Sequence, residues 1–363
     1  MKLSVSYLKP GMILKSPVYN NRGELLLNAG CVLTEKYINA LKRVGVLAVH
    51  IRGAGDLDIE EANNALSNEV KIEALVCVQN FIEQNMTKKN YKLLVSSVKN
   101  IVDEILSGKV PVGGLAEISA YDSYTYTHSV DVCALSIAIG YQMDFSRDTL
   151  IGLGTGSLLH DLGKTRVPIK ILNKPGKLTD EEFAEIKKHP TIGYEMLCYG
   201  FDEVVEPETS RILLNHHERY DGNGYPRGLK GNELFDLDMI CGVSDMYNAM
   251  TTDRVYRKAL PYSEAYEMLL GSIGTYFSME VVQAFARAVE PYPIGTLVEM
   301  SDGRRACVVD NNPAMPTRPV IRILGTKEII DLSKSLTLVI KSQLSQEEIS
   351  ELVMPSSIQR RQA

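Results

Sequence analysis

Apolar positions along the chain change their spacing several times, and each change predicts a different kind of element. Between residues 1 and 53, short apolar runs in GMILKSPVYNNRGELLLNAGCVL are broken by Asn21-Arg22-Gly23 and Asn28-Ala29-Gly30, the pattern of strands joined by turns. Thr34 then reads as the N-cap of a short helix, EKYINALKRVG, with Tyr37, Ile38 and Leu41 on one face and Gly45 beyond its end, before a closing strand VLAVHI. This predicts a small β-rich N-terminal module with a regulatory or docking role, in which His50 is structural. Over 54–112 the apolar residues Ile72, Leu75, Val76, Leu93, Leu94, Val98, Ile101, Val102 and Ile105 recur at helical spacing. A helical connector follows from that spacing, with a dimerisation helix pair as the alternative. Helical periods continue over 113–290. From 291 to 345 the pattern becomes a strand, an Asp302-Gly303 turn, a second strand, a Pro-rich loop and a third strand, and 346–363 is expected to be a helical or disordered tail. The fold class is therefore mostly α: a helical bundle with a small β-rich N-terminal module and a small C-terminal β cap.

Composition narrows the partners more than the fold. The 363 residues suffice for two or three domains. A net charge of -6 argues against binding to a nucleic-acid polymer, which needs a broad basic surface, but permits a small anionic ligand held by a few local cations. The six cysteines are scattered with no CxxC pair, as expected of reduced thiols. No N-terminal apolar signal segment and no run of 18 apolar residues is present, so the expectation is a cytoplasmic chain with no membrane span.

The chemistry concentrates around LLHDLGKTRVP. An apolar run from Thr149 to Leu159 reads as a buried helix that ends on His160 and Asp161, and a buried carboxylate must be paired or coordinate a cation. A lone histidine on an apolar face is usually a satisfied core residue. Here, however, five of the six histidines, His128, His160, His189, His216 and His217, fall within ninety residues. Each lies on or at the end of a predicted helix. His128 begins one and shares its inward face with Val132, Leu135 and Ile139; His189 precedes Pro190 at a helix junction; His216 and His217 lie in the helix RILLNHHERY; Asp245 follows Cys241 and Gly242. With Asp161 and Asp245 these form seven nitrogen and oxygen donors suited to first-row transition metals. Seven donors are too many for one tetrahedral zinc and suit two ions sharing Asp161, with a water or hydroxide between them, an arrangement for phosphoester hydrolysis.

Other residues fit a phosphate ligand, each against a plainer reading. Lys164 lies four residues after His160 and shares its face if the helix continues that far; the alternative is a solvated lysine. The loop DGNGYPRGLKG holds Tyr225 between Gly224 and Pro226, where a ring could stack on a base; the alternative is a tight turn. Arg254 and Arg257 are one helical turn apart and could grip phosphate; the alternative is a surface ion pair.

Taken together, YTYTHSVDV, LLHDLGKTRVP, ILNKPGKLTDEEFAEIKKHPTIGYEML, HHERYDGNGYPRGLKG and SDMYNAMTTDRVYRKAL resemble the HD-GYP subfamily of HD-domain phosphohydrolases, the bacterial cyclic di-GMP phosphodiesterases, over about 175 residues. The resemblance implies an all-helical catalytic domain at 113–290 and an iron or manganese centre. It implies His128, His160, Asp161, His189, His216, His217 and Asp245 as metal ligands, Lys164 as a catalytic, phosphate-contacting lysine, Tyr225 as the signature loop tyrosine and Arg254 with Arg257 as the substrate-gripping pair. Tyr124 stands where members with a third metal have a carboxylate, so two divalent ions are expected. The implied reaction opens cyclic di-GMP to linear pGpG, with onward cleavage to GMP left open. The family resemblance also implies a GGDEF-domain partner for the loop, and a homodimer is a further candidate assembly. The competing reading is a cyclic dinucleotide receptor or docking module with weak or no catalysis; retention of all seven donors favours the enzyme.

Overall fold

The structure is a computed structural model and describes residues 1–20, 24–46, 48–53, 66–84, 86–108, 124–172, 174, 176–199, 201, 203–252 and 259–353. Elements follow in chain order. The N-terminal module comprises β1 (Lys2–Ser4), β2 (Val18–Tyr19), β3 (Leu25–Leu27), α1 (Glu35–Val44) and β4 (Ala48–His50), with β1 antiparallel to β4 and β2 antiparallel to β3. Thr34 caps α1 by accepting from the Tyr37 amide, and Gly45 ends it at φ 89°. Leu3, Met12, Leu14, Leu33, Leu41 and Ile51 are buried between these elements.

Helices make up the next stretch: α2 (Asn68–Gln79), α3 (Lys88–Leu106), α4 (Tyr124–Tyr141), α5 (Arg147–Leu159), α6 (Ile169–Leu172), α7 (Asp180–Ile186), α8 (His189–Cys198), α9 (Pro207–Asn215), α10 (Asp236–Thr251), α11 (Tyr262–Leu270) and α12 (Met279–Ala288). By their contacts these form one unit, which includes the helices of the 54–112 segment. Among the described residues no helix is long and apolar enough to cross a membrane.

The second unit joins the two ends of the chain. A five-stranded antiparallel sheet is built from β5 (Leu297–Met300), β6 (Arg305–Asp310), β7 (Val320–Ile323), β8 (Ile329–Asp331) and β9 (Ile340–Gln343), in the order β8-β7-β6-β5-β9. The three strands expected from sequence are β5 to β7. Both edge strands were missed because β8 is three residues long and β9 reads Ile-Lys-Ser-Gln, with neither alternation nor an apolar run to mark it. Helix α13 (Gln346–Val353) then packs on the N-terminal module: Val353 enters its core, and the Ser350 hydroxyl donates to the Tyr7 carbonyl at 2.7 Å.

Helix α5 is the axis of the helical unit. Ser146 caps it through the Thr149 amide, and every residue from Leu150 to Leu159 is buried. Gly156 lets α9 approach, since a Cβ there would meet Ile212 side-chain carbons at 2.8 and 2.9 Å. After Leu159 the chain tightens, and Leu162–Arg166 form a 3₁₀ turn. That turn lies against the start of α8 with almost no clearance. A Cβ on Gly163 would land on the carbonyl oxygen of His189 and 2.7 Å from the Gly193 nitrogen, both backbone atoms that cannot step aside. We therefore predict that Gly163→Ala destabilises the protein by more than about 2 kcal/mol. Urea unfolding followed by circular dichroism checks this; an unchanged midpoint would show that the turn and α8 are not held at this spacing.

Candidate metal centre

The seven donors predicted from sequence come together in the helical unit, though three are placed differently from expectation. His128 lies in the second turn of α4, because the helix starts at Tyr124. His216 and His217 lie just past α9, which ends at Asn215, so the chain is already turning where the pair is presented. The remaining positions are as read: His160 and Asp161 at the end of α5, His189 at the start of α8 and Asp245 within α10.

The donor atoms form two groups, one of Asp161, His189, His216 and His217 and one of His128, His160 and Asp245, each with its donor atoms within 4.8 Å of one another. Asp161 reaches both. Its Oδ1 is 3.4 Å from His189 Nε2, while its Oδ2 is 3.4 Å from His160 Nε2 and 4.0 Å from His128 Nε2.

Hydrogen bonding tests whether these groups fit cations. His160 Nδ1 lies 2.7 Å from the Ser157 carbonyl oxygen, His189 Nδ1 2.8 Å from that of Ile186, and His216 Nδ1 3.1 Å from that of Leu213. His128 Nδ1 lies 2.7 Å from the side-chain oxygen of Asn248, whose amide nitrogen in turn donates to Asp131 at 3.3 Å. A carbonyl oxygen only accepts, so each Nδ1 carries a proton, and Nε2 is the atom that presents a lone pair when the ring holds a metal. Those lone pairs face other acceptors. His189 Nε2 and His216 Nε2 are 3.3 Å apart, and His128 Nε2 is 3.1 Å from Asp245 Oδ1. His160 Nε2 and Asp161 Oδ1 are buried without any hydrogen-bond partner. Acceptors converging on acceptors in a buried space are stable only around positive charge, so the residues fit divalent metal ions, with the second nitrogen of each ring fixed from behind.

Protonation follows the same logic. Burial pushes His189 down to about 4 and His217 down to about 3, and it holds His216 well below the ordinary imidazole value, so these rings are neutral at pH 7. The nominal ion pair between His189 and Asp161 is therefore a contact between a neutral ring and an anion. Burial opposes ionisation of Asp161, but His160 and Lys164 more than offset it and hold the carboxyl well below its usual range. Burial likewise opposes a charge on His160, yet Asp161 raises it above the ordinary value: without a metal, a proton is the cation this carboxylate can draw.

Lys164 reaches the centre by a route the sequence reading did not anticipate. Because α5 stops at Leu159, Lys164 does not share a helical face with His160; it sits on the 3₁₀ turn and donates to Asp161 Oδ2 at 2.7 Å. Tyr225 is folded back onto the donors, its ring centroid 4.8 Å from that of His217 and its amide donating to the His217 carbonyl at 3.2 Å. Burial, with the charges of Asp245 and Asp161, pushes its phenol up and keeps it protonated. Arg254 and Arg257 lie outside the described residues.

Two supporting groups escaped the sequence reading. Asn248 looks like any polar residue on α10 until its contact with His128 is seen. Glu218 follows the histidine pair and is buried, and its carboxylate accepts from the amides of Arg227, Gly228 and Leu229 at 2.6, 3.1 and 3.0 Å, tying the Tyr225 loop down. Adjacency to both a donor pair and a Gly-rich loop was the one available signal.

The neutral histidines set a pH dependence. His189 and His217 bind protons less readily folded, at about 4 and about 3, than at the ordinary 6.5. Below 6.5 the unfolded chain takes up the extra protons, so stability falls with falling pH, and His160, shifted the opposite way, offsets only part of it. We predict that the Tm of metal-stripped protein falls steadily from pH 6.5 toward pH 4; a flat or rising Tm in scanning calorimetry would contradict neutral buried rings.

Comparison with known proteins agrees with the geometry. A family model described as HD domain matches residues 108–281, and one described as KOW domain associated with HD domain matches residues 297–352. The cyclic di-GMP phosphodiesterase PA4108 of Pseudomonas aeruginosa is 34% identical over 295 residues, which are 76% of this chain and 69% of that protein. A cyclic di-GMP phosphodiesterase of Thermotoga maritima is 39% identical over 166 residues, 46% of this chain and 45% of that protein. Among solved structures, Bd1817, an HDGYP protein from Bdellovibrio bacteriovorus, superimposes with a TM-score of 0.51 at 19% identity, covering 78% of this chain and 97% of that one, which shows a shared fold. With the match to the first relative extending over most of both proteins, the chain belongs to the HD-GYP family of HD-domain proteins.

Proposed function

We propose that this chain is a metal-dependent phosphodiesterase that hydrolyses cyclic di-GMP to linear pGpG. The observation that carries the reading is Asp161, whose two oxygens face two separate groups of buried, donor-poor ligands. His189, His216 and His217 would hold one ion, His128, His160 and Asp245 the other, and Asp161 would bridge them. Two divalent first-row transition-metal ions, iron or manganese as the family resemblance implies, would supply acidity to an attacking water and neutralise the phosphate.

The chain's own residues do the rest. Lys164, anchored on Asp161, is placed to set its ammonium against a phosphate oxygen. Tyr225 presents a ring beside His217 on which a base can stack, and its protonated hydroxyl can donate to phosphate. Arg254 and Arg257 complete the grip on the substrate in this reading. The relatives' names supply the substrate: both proteins described above are cyclic di-GMP phosphodiesterases. The exposed loop tip at Pro226 to Gly228 offers a surface for a GGDEF-domain partner. Free thiols at all six cysteines accord with work in the cytoplasm.

Asp161→Ala tests the reading directly. Anaerobically purified variant should lose at least one metal equivalent by elemental analysis and at least about a hundredfold in hydrolysis of cyclic di-GMP, with its helical circular dichroism retained. Unchanged metal stoichiometry would remove Asp161 from the centre.

A further inference from the structure

Beyond the donor cluster, one cation is distinguished by its surroundings. Lys187 follows the last residue of α7, and its Nζ lies 4.6 Å from the centroid of the Phe183 ring and 5.5 Å from that of Tyr225. Other lysines nearby are neutralised: Lys188 pairs with Glu185 at 2.5 Å and Lys174 with Glu182 at 2.6 Å. Among the described residues no carboxylate pairs with Lys187. Phe183 is 43% exposed, an aromatic ring left open to water on a helix with four carboxylates, Asp180, Glu181, Glu182 and Glu185. The Tyr225 ring also lies beside that of His217, with centroids 4.8 Å apart. A line of groups thus leads outward from a proposed metal ligand through Tyr225 and Lys187 to Phe183.

Such a line suits a flat, hydrogen-bonding ligand. Ring faces offer stacking to any base, whereas an ammonium discriminates by the base's edge. Guanine presents two acceptors, O6 and N7, to a cation; adenine replaces O6 with an amino donor that repels it. A cyclic dinucleotide whose scissile phosphodiester sits on the donor cluster must place its bases outside that cluster, and on the His217 side this line is what they meet.

We propose that Phe183, Lys187 and Tyr225 form a purine subsite in which Lys187 donates to the O6 and N7 edge of guanine, making Lys187 a specificity-determining residue. The inference rests on the cyclic dinucleotide reading above. It extends that reading by assigning base discrimination to a residue to which the resemblance gives no role.

The test is steady-state kinetics on metal-loaded protein, with cyclic di-GMP as substrate and cyclic di-AMP as competitor. Lys187→Met should raise KM for cyclic di-GMP about tenfold while leaving Ki for cyclic di-AMP unchanged or lower, with kcat within about threefold, so that discrimination between the two collapses. Lys187→Arg, which keeps the cation and presents a forked donor, should restore it. Phe183→Ala should weaken both nucleotides alike, by about fivefold, because stacking ignores base identity. Discrimination unaltered in Lys187→Met, or lost equally in Lys187→Arg, would overturn the subsite while leaving the phosphodiesterase reading intact. Wild-type protein that cleaves bis(p-nitrophenyl) phosphate but neither binds nor cleaves cyclic di-GMP would overturn the dinucleotide reading and the subsite together.

Discussion

Lone pairs pointed at lone pairs in a buried space are the constraint on which the helical unit depends. Four imidazoles have one nitrogen committed to an oxygen that can only accept, three on backbone carbonyls three residues back along the chain and His128 on Asn248. Their other nitrogens are driven together with two carboxylates that burial alone would make neutral. Nothing in an apolar core rewards this arrangement, and each uncompensated polar atom costs free energy. The folding of α4, α5, α8, α9 and α10 around the cluster is intelligible once positive charge is part of the final state, as metal binding coupled to folding supplies.

Backbone spacing is what allows the donors to meet. The α5 axis delivers His160 and Asp161 at its buried end, and glycines at 156 and 163 remove the side chains that would hold α9 and α8 away. Asn248 and Glu218 act behind the donors, one fixing the orientation of a ring and the other tying a loop to the end of α9. Their effect on chemistry is indirect but geometric, since a donor displaced by an ångström no longer shares its cation.

Much of this was legible in the sequence because it rests on local rules. Apolar spacing marks α3 and α5, caps mark α1 through Thr34 and Gly45, and the rare clustering of histidines among inward positions marks the centre. Features set by tertiary contact stayed hidden. The chain tightens into a 3₁₀ turn after Asp161, so Lys164 arrives through the carboxylate rather than along the helix; α9 ends a residue before His216; polar β9 becomes a strand only by pairing with β5. Likewise, nothing in the segment 346–353 announces that Val353 belongs to the core of a module formed by the first fifty residues.

The most direct test is anomalous X-ray diffraction from crystals of anaerobically purified protein, collected at the iron and manganese edges. Two peaks per chain are predicted, one among His189, His216 and His217 and the other among His128, His160 and Asp245, with Asp161 between them. An absence of anomalous signal in that space, or a single peak that leaves either group of donors facing only itself, would contradict the account.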